Sequence, residues 1–129
     1  MFTYYSLTEE KYYKIVGLIV ANVNWSDGPV FDFTKTQFNT EAEFEAFRDE
    51  VYSRSTVSTG VDMQYGDTVM TLHTCAYYFK DARFLVVARE VRPGEDLSVD
   101  TSAATVNTRA IVPDSFYAAY NLGVKASDR

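Results

Sequence analysis

The sequence predicts an α+β fold in which strands dominate, and three observations carry that expectation. Aromatic residues make up 16% of the 129 positions, with ten Tyr and nine Phe, and such flat side chains pack well on a pleated surface. Apolar runs rich in Val, Ile and Tyr are bounded by clusters of Gly, Pro, Asn and Asp, the punctuation of strands. One sure helix is signalled, by Thr40-Glu41-Ala42-Glu43, which has the spacing of a capping box.

Taken in order, residues 4–10 are polar and mixed and read as a connection. Tyr12 to Val23 reads as a long strand, apolar on both faces at its centre and therefore buried in a barrel or sandwich. Asn24-Trp25-Ser26-Asp27-Gly28-Pro29 turns the chain, since Gly supplies positive φ and Pro fixes φ. Residues 30–38 hold Val30, Phe31, Phe33 and Phe38 without a clear period.

Behind the capping box, Phe44, Phe47, Val51 and Tyr52 recur on one face of a helix spanning about 41–53. A Ser/Thr loop follows at 53–60, and Tyr65-Gly66-Asp67 turns into a strand at 68–75. Beyond a loop at 76–82, Arg83 opens a second apolar strand to Val91, which Arg92-Pro93-Gly94 ends. Residues 94–109 are rich in Ser, Thr, Asp and Gly and read as a loop or disordered tail. Pro113-Asp114-Ser115 followed by Phe116, Tyr117 and Tyr120 predicts a short terminal helix with Gly123 as its stop. The division expected is a main unit at 1–93 and a tail at 94–129.

Composition excludes several functions. The net charge is −6 with no Lys/Arg cluster, whereas nucleic-acid binding needs a concentrated basic face. One Cys excludes an internal disulfide, and one His excludes a metal site built from several imidazoles. The longest apolar run, Ile15–Val23, is shorter than the roughly 20 residues of a bilayer span. The N-terminal residues lack a signal peptide's basic and apolar regions.

The chemistry-bearing residues converge on one strand. Side chains alternate along 68–75, so His73 and Cys75 share a face with Cα atoms roughly 6.5–7 Å apart. A Cys at a strand end is commonly a packed, inert residue. Arg83 opens the next strand, and pairing of the two strands brings a guanidinium toward the thiol, an arrangement that favours the attacking thiolate.

Thr71-Leu72-His73-Thr74-Cys75, a short loop, then Arg83 and a Leu/Val run ending in Ala88 and Arg89 resembles the active-site signature of sortases, cysteine transpeptidases of Gram-positive cell surfaces. The order of strand 12–23, Phe-rich linker 31–38, helix 41–53 and Ser58-Thr59-Gly60-Val61 is similar to the class B branch. The resemblance covers about residues 12–92. It implies a sortase-like β-barrel, incomplete at its N-terminal side, with 1–93 as a truncated catalytic domain.

By that resemblance Cys75 is the nucleophile, and Arg83 holds substrate and stabilises the developing oxyanion. The implied partners are the sorting-signal peptide of a surface protein and the amine of a cell-wall precursor or pilin, with no cofactor. The implied location is the extracellular face of the membrane or the cell surface. The family's third catalytic residue, a His on an earlier strand, has no counterpart before Tyr12. His73 is the candidate substitute acid/base, although neighbours on one strand converge poorly. The alternative reading is a non-catalytic remnant, a peptide-binding or self-assembling β-module. A barrel short of strands exposes edges, and homo-oligomers are expected through them.

Overall fold

The computed structural model describes all 129 residues. Its central element is a long strand at Glu10–Ala21 (β2), preceded by a short strand at Phe2–Tyr5 (β1). The chain then forms helix α1 at Glu41–Arg54 and short strand β3 at Val57–Ser58. Strands β4 (Val69–Ala76) and β5 (Ala82–Glu90) follow as a hairpin. The remainder carries β6 (Thr105–Val106), β7 (Ile111–Val112), α2 (Asp114–Tyr120) and β8 (Val124–Lys125). The main sheet has the antiparallel order β1-β2-β5-β4. It is an open half-barrel, as expected of an incomplete one.

The N-terminal residues correct one expectation. Where the sequence reads as a connection, Phe2–Tyr5 pairs with β2, and Phe2 stacks on its register partner Tyr13 at 5.4 Å. Four residues are too few to display alternation, but aromatic pairs across strands stabilise the pairing. At its other end β2 stops two residues early. Asn22 is buried, and its amide donates to the carbonyls of Asn24 and Gly28, both at 2.9 Å, which turns the chain.

Helix α1 covers one face of the sheet. Its capping box reaches one residue further back than the motif requires: Thr40 Oγ1 accepts from the Glu43 N–H at 3.1 Å, and Glu43 Oε2 accepts from the Asn39 N–H at 3.0 Å. Phe44, Phe47 and Val51 pack against Val16, Ile19 and Ala21 of β2 and Leu85 and Val87 of β5, with Phe31 and Met63 closing the cluster. The helix sits very close at a bulge between Ile15 and Gly17, where a Cβ on Gly17 would meet Val51 Cγ1 at 3.0 Å and Ser55 Cβ at 3.2 Å. Gly17 is there to admit the helix.

The opposite face carries a smaller cluster of Val20, Ala110, Val112 and Phe116. Residues 94–109 are ordered by long-range partners rather than by local pattern. β6 pairs with β3, and Asn107 donates from its side chain to the Ser55 carbonyl at 2.9 Å. The expected Ser/Thr loop at 53–60 thus contains β3, and Thr56 N–H bonds the Leu18 carbonyl at 2.8 Å. The terminal helix forms as expected, but Asn121 in the left-handed conformation ends it. Gly123 has a different task, because a Cβ there would clash with the Ala110 carbonyl where β8 runs beside β7.

Candidate active site

The β4–β5 hairpin positions every candidate residue. In its register Thr71 faces Val87, His73 faces Leu85 and Cys75 faces Arg83. The ladder's phase follows from two bonds outside the strands: Glu90 N–H donates to the Thr68 carbonyl, and Val91 N–H to the Tyr12 carbonyl, both at 2.8 Å. The even-numbered residues of β4 therefore exchange hydrogen bonds with β5, and Val69, Thr71, His73 and Cys75 point their backbone groups the other way. Cys75 and Arg83 form a pair without mutual backbone bonds, the kind whose Cα atoms lie only about 4.5 Å apart and whose side chains are closest.

Cys75 is exposed, and the Arg83 guanidinium lies against the backbone, with Nη1 donating to the Ala82 carbonyl at 3.0 Å. No carboxylate claims Arg83. The tip of the hairpin is fixed by Asp81 in a left-handed turn (φ 62°), where its carboxylate accepts from the Asn24 amide at 3.1 Å. The structure thus brings Cys75 and Arg83 side by side.

His73 is held elsewhere. It shares the Cys75 face, but its ring packs against Phe33 at 5.2 Å, tilted by 50°. Together with Thr71, Phe33, Lys35 and Phe38 it lines an open groove of about 490 Å³. The groove runs between the 33–38 linker and β4 and stops at His73, short of the thiol. The linker, without pattern in sequence, is the groove's wall.

At the far end of the same hairpin lies a network that sequence reasoning missed. Arg89 is buried and grips Glu95 through two bonds of 2.8 Å, while its Nε donates to the Asp62 carbonyl at 2.6 Å. Arg92 grips Asp67 through two more at 2.8 Å, and Lys14 reaches Glu95 at 3.3 Å. The Arg89 hydrogen bonds hold the Glu95 carboxyl far below its ordinary range. Burial pushes Asp67 upward, but the Arg92 guanidinium and the Gln64 N–H outweigh it and hold it low. One signal was present in the sequence: Arg89 continues the inward alternation of Leu85 and Val87, and a charge on a buried face demands partners.

The topology and the hairpin are shared with solved structures. Clostridium perfringens sortase B matches with a TM-score of 0.58 and 29% identity, over 70% of this chain and 48% of that one. The fold is sortase-like. A mutant form of that sortase B with serine in place of a cysteine matches with the same TM-score at 28% identity, over 70% of this chain and 41% of that one. The chain spans about half the length of the sortase B structures it matches. No protein-family model matches it, and no curated protein sequence does. Within the sortase-like fold, no helix is long and apolar enough to cross a membrane.

Proposed function

We propose that this chain carries the nucleophile of a class B-like sortase, a cysteine transpeptidase, with Cys75 as the attacking residue and Arg83 as the oxyanion partner. One observation carries the reading: an exposed thiol and a guanidinium free of any carboxylate face each other as the closest kind of cross-strand pair, on a hairpin of sortase-like fold.

The chemistry follows from the two groups. The Cys75 thiolate attacks the carbonyl of a Thr within a sorting signal, forming an Sγ–C bond. The Arg83 guanidinium balances the negative charge gathering on the carbonyl oxygen, as a fixed donor does in a tetrahedral intermediate. The C–N bond then breaks, the departing amine takes up a proton, and a thioester remains. A second amine, from a cell-wall precursor or pilin, attacks that thioester and regenerates the thiol. Splitting the transfer through a covalent intermediate is the usual logic of a nucleophilic side chain. His73 is the chain's single imidazole, and its packing on Phe33 turns it toward the groove, so the departing amine takes its proton from solvent. The setting that goes with this reading is the extracellular face of a Gram-positive membrane.

The test is a cleavage assay over LPxTG-like and NPxTN-like peptides with Cys75→Ala as control. Cleavage that needs Cys75 supports the reading, and none with either peptide class, or equal cleavage by the variant, contradicts it. A second reading, a β-module without catalysis, is favoured by the unpaired edge of β4.

A further inference from the structure

Arg83 has a carboxylate for a near neighbour and does not pair with it. Asp81 is the only acid between Asp67 and Glu90, and it stands two residues before Arg83. The guanidinium lies back toward the hairpin tip, with Nη1 donating to the Ala82 carbonyl at 3.0 Å. In a regular strand, residues two apart share a face. The left-handed φ of 62° at Asp81 breaks that alternation. Its Oδ2 instead accepts from the Asn24 side-chain amide at 3.1 Å.

Asn24 is itself fixed. Its carbonyl accepts from the buried Asn22 amide at 2.9 Å and from the Asp27 N–H at 3.1 Å. Asp27 in turn takes the Ser115 N–H at 2.7 Å and the Ser115 hydroxyl at 2.8 Å, which ties the turn to α2. The Asn24 amide is thus a donor held in place before Asp81 arrives. An exposed ion pair gains too little to displace such a donor.

We propose that Asn24 is a positioning residue, which sequesters the Asp81 carboxylate and so keeps the Arg83 guanidinium free beside Cys75. The catalytic meaning of this role rests on the reading of Arg83 as the oxyanion partner. A carboxylate paired with Arg83 would cancel the positive charge that favours both the thiolate and the developing oxyanion. The contact therefore acts through charge, and a mere brace for the hairpin tip would behave differently.

Two alkylating reagents of similar size, iodoacetate and iodoacetamide, read the charge beside Cys75 without any peptide. A free guanidinium favours the anionic reagent. Asn24→Ala is expected to lower the iodoacetate-to-iodoacetamide rate ratio about threefold, the scale of one exposed ion pair. Adding Asp81→Asn to the same chain should restore the ratio, because Asn tolerates the left-handed turn and carries no charge. A brace alone gives no such rescue, since the double variant still lacks the contact. Should Asn24→Ala unfold, Asn24→Leu serves instead, having a similar shape and no donor. A ratio unchanged in the folded single variant overturns the inference, and so does one that Asp81→Asn fails to restore. Peptide cleavage is read separately. A chain that shows the expected ratios but cleaves no sorting-signal peptide keeps the Asn24 role in holding Arg83 free and loses the transpeptidase reading.

Discussion

Arg83 and Arg89 lie on the same strand and point to the same face, yet they sit in opposite circumstances. Arg89 is buried, clasped by Glu95 and Asp62, and reinforced through Arg92, Asp67 and Lys14. Arg83 has only a backbone carbonyl as partner, and across the ladder stands an exposed thiol. A guanidinium saturated with carboxylates has no hydrogen-bonding capacity left for a ligand, while one that is merely rested on the backbone keeps its fork available. One end of the hairpin is tied down, and the other is left free to act. The first provides the rigid support that a working constellation needs.

Five substitutions test this contrast, the largest effect first. Cys75→Ala is expected to abolish thioester formation with a sorting-signal peptide while leaving the melting temperature unchanged, because the side chain is exposed. Arg83→Ala should slow acylation by about 10²–10³-fold, the usual loss for one oxyanion donor, again without loss of stability in denaturant unfolding. Arg89→Ala should do the reverse. Removing one partner of a buried ion pair costs about 3–5 kcal/mol, so its denaturation midpoint should fall sharply. Any loss of activity should then follow the loss of folded protein.

The acid limb offers a finer probe. Glu95 has a folded-state pKa held well below the unfolded value, so its contribution to stability is complete above about pH 4.3, the ordinary Glu value. That contribution is lost as pH falls from there toward the folded-state pKa. Glu95→Gln should therefore lower stability near neutrality and flatten the decline of the melting temperature in acid. An acid profile parallel to the wild type would show that Glu95 does not contribute to acid stability. The smallest effect is expected from His73→Ala, which should leave the rate of Cys75 alkylation unchanged at each pH, since His73 packs on Phe33.

The contrast between the two arginines also marks how far the sequence could be read. The helix at 41–53 was legible because capping and periodicity are local properties, and the structure extends it by one residue to Arg54. The hairpin was legible because two apolar runs flank a short loop, and alternation alone put His73 and Cys75 on one face. The Cys75–Arg83 register needed the two strands to pair, and they do.

What escaped were features made by distant residues. β3 and β6 have two residues each and exist only because they meet each other across the fold. β1 depends on Tyr13 for its aromatic partner. Arg92 looked like the end of a strand, while its carboxylate partner lies 25 residues earlier in the chain. The groove wall at 33–38 has no periodicity because it belongs to no regular element.

Whether Cys75 and Arg83 act as one reactive pair is decided by mass spectrometry of the intact chain after incubation with an NPxTN-like peptide. A thioester adduct confined to Cys75 is expected in the wild-type chain, accumulating about 10²–10³-fold more slowly in a folded Arg83→Ala variant. A wild-type chain that forms no adduct with any sorting-signal peptide, or an Arg83→Ala variant that acylates at the wild-type rate, would contradict it.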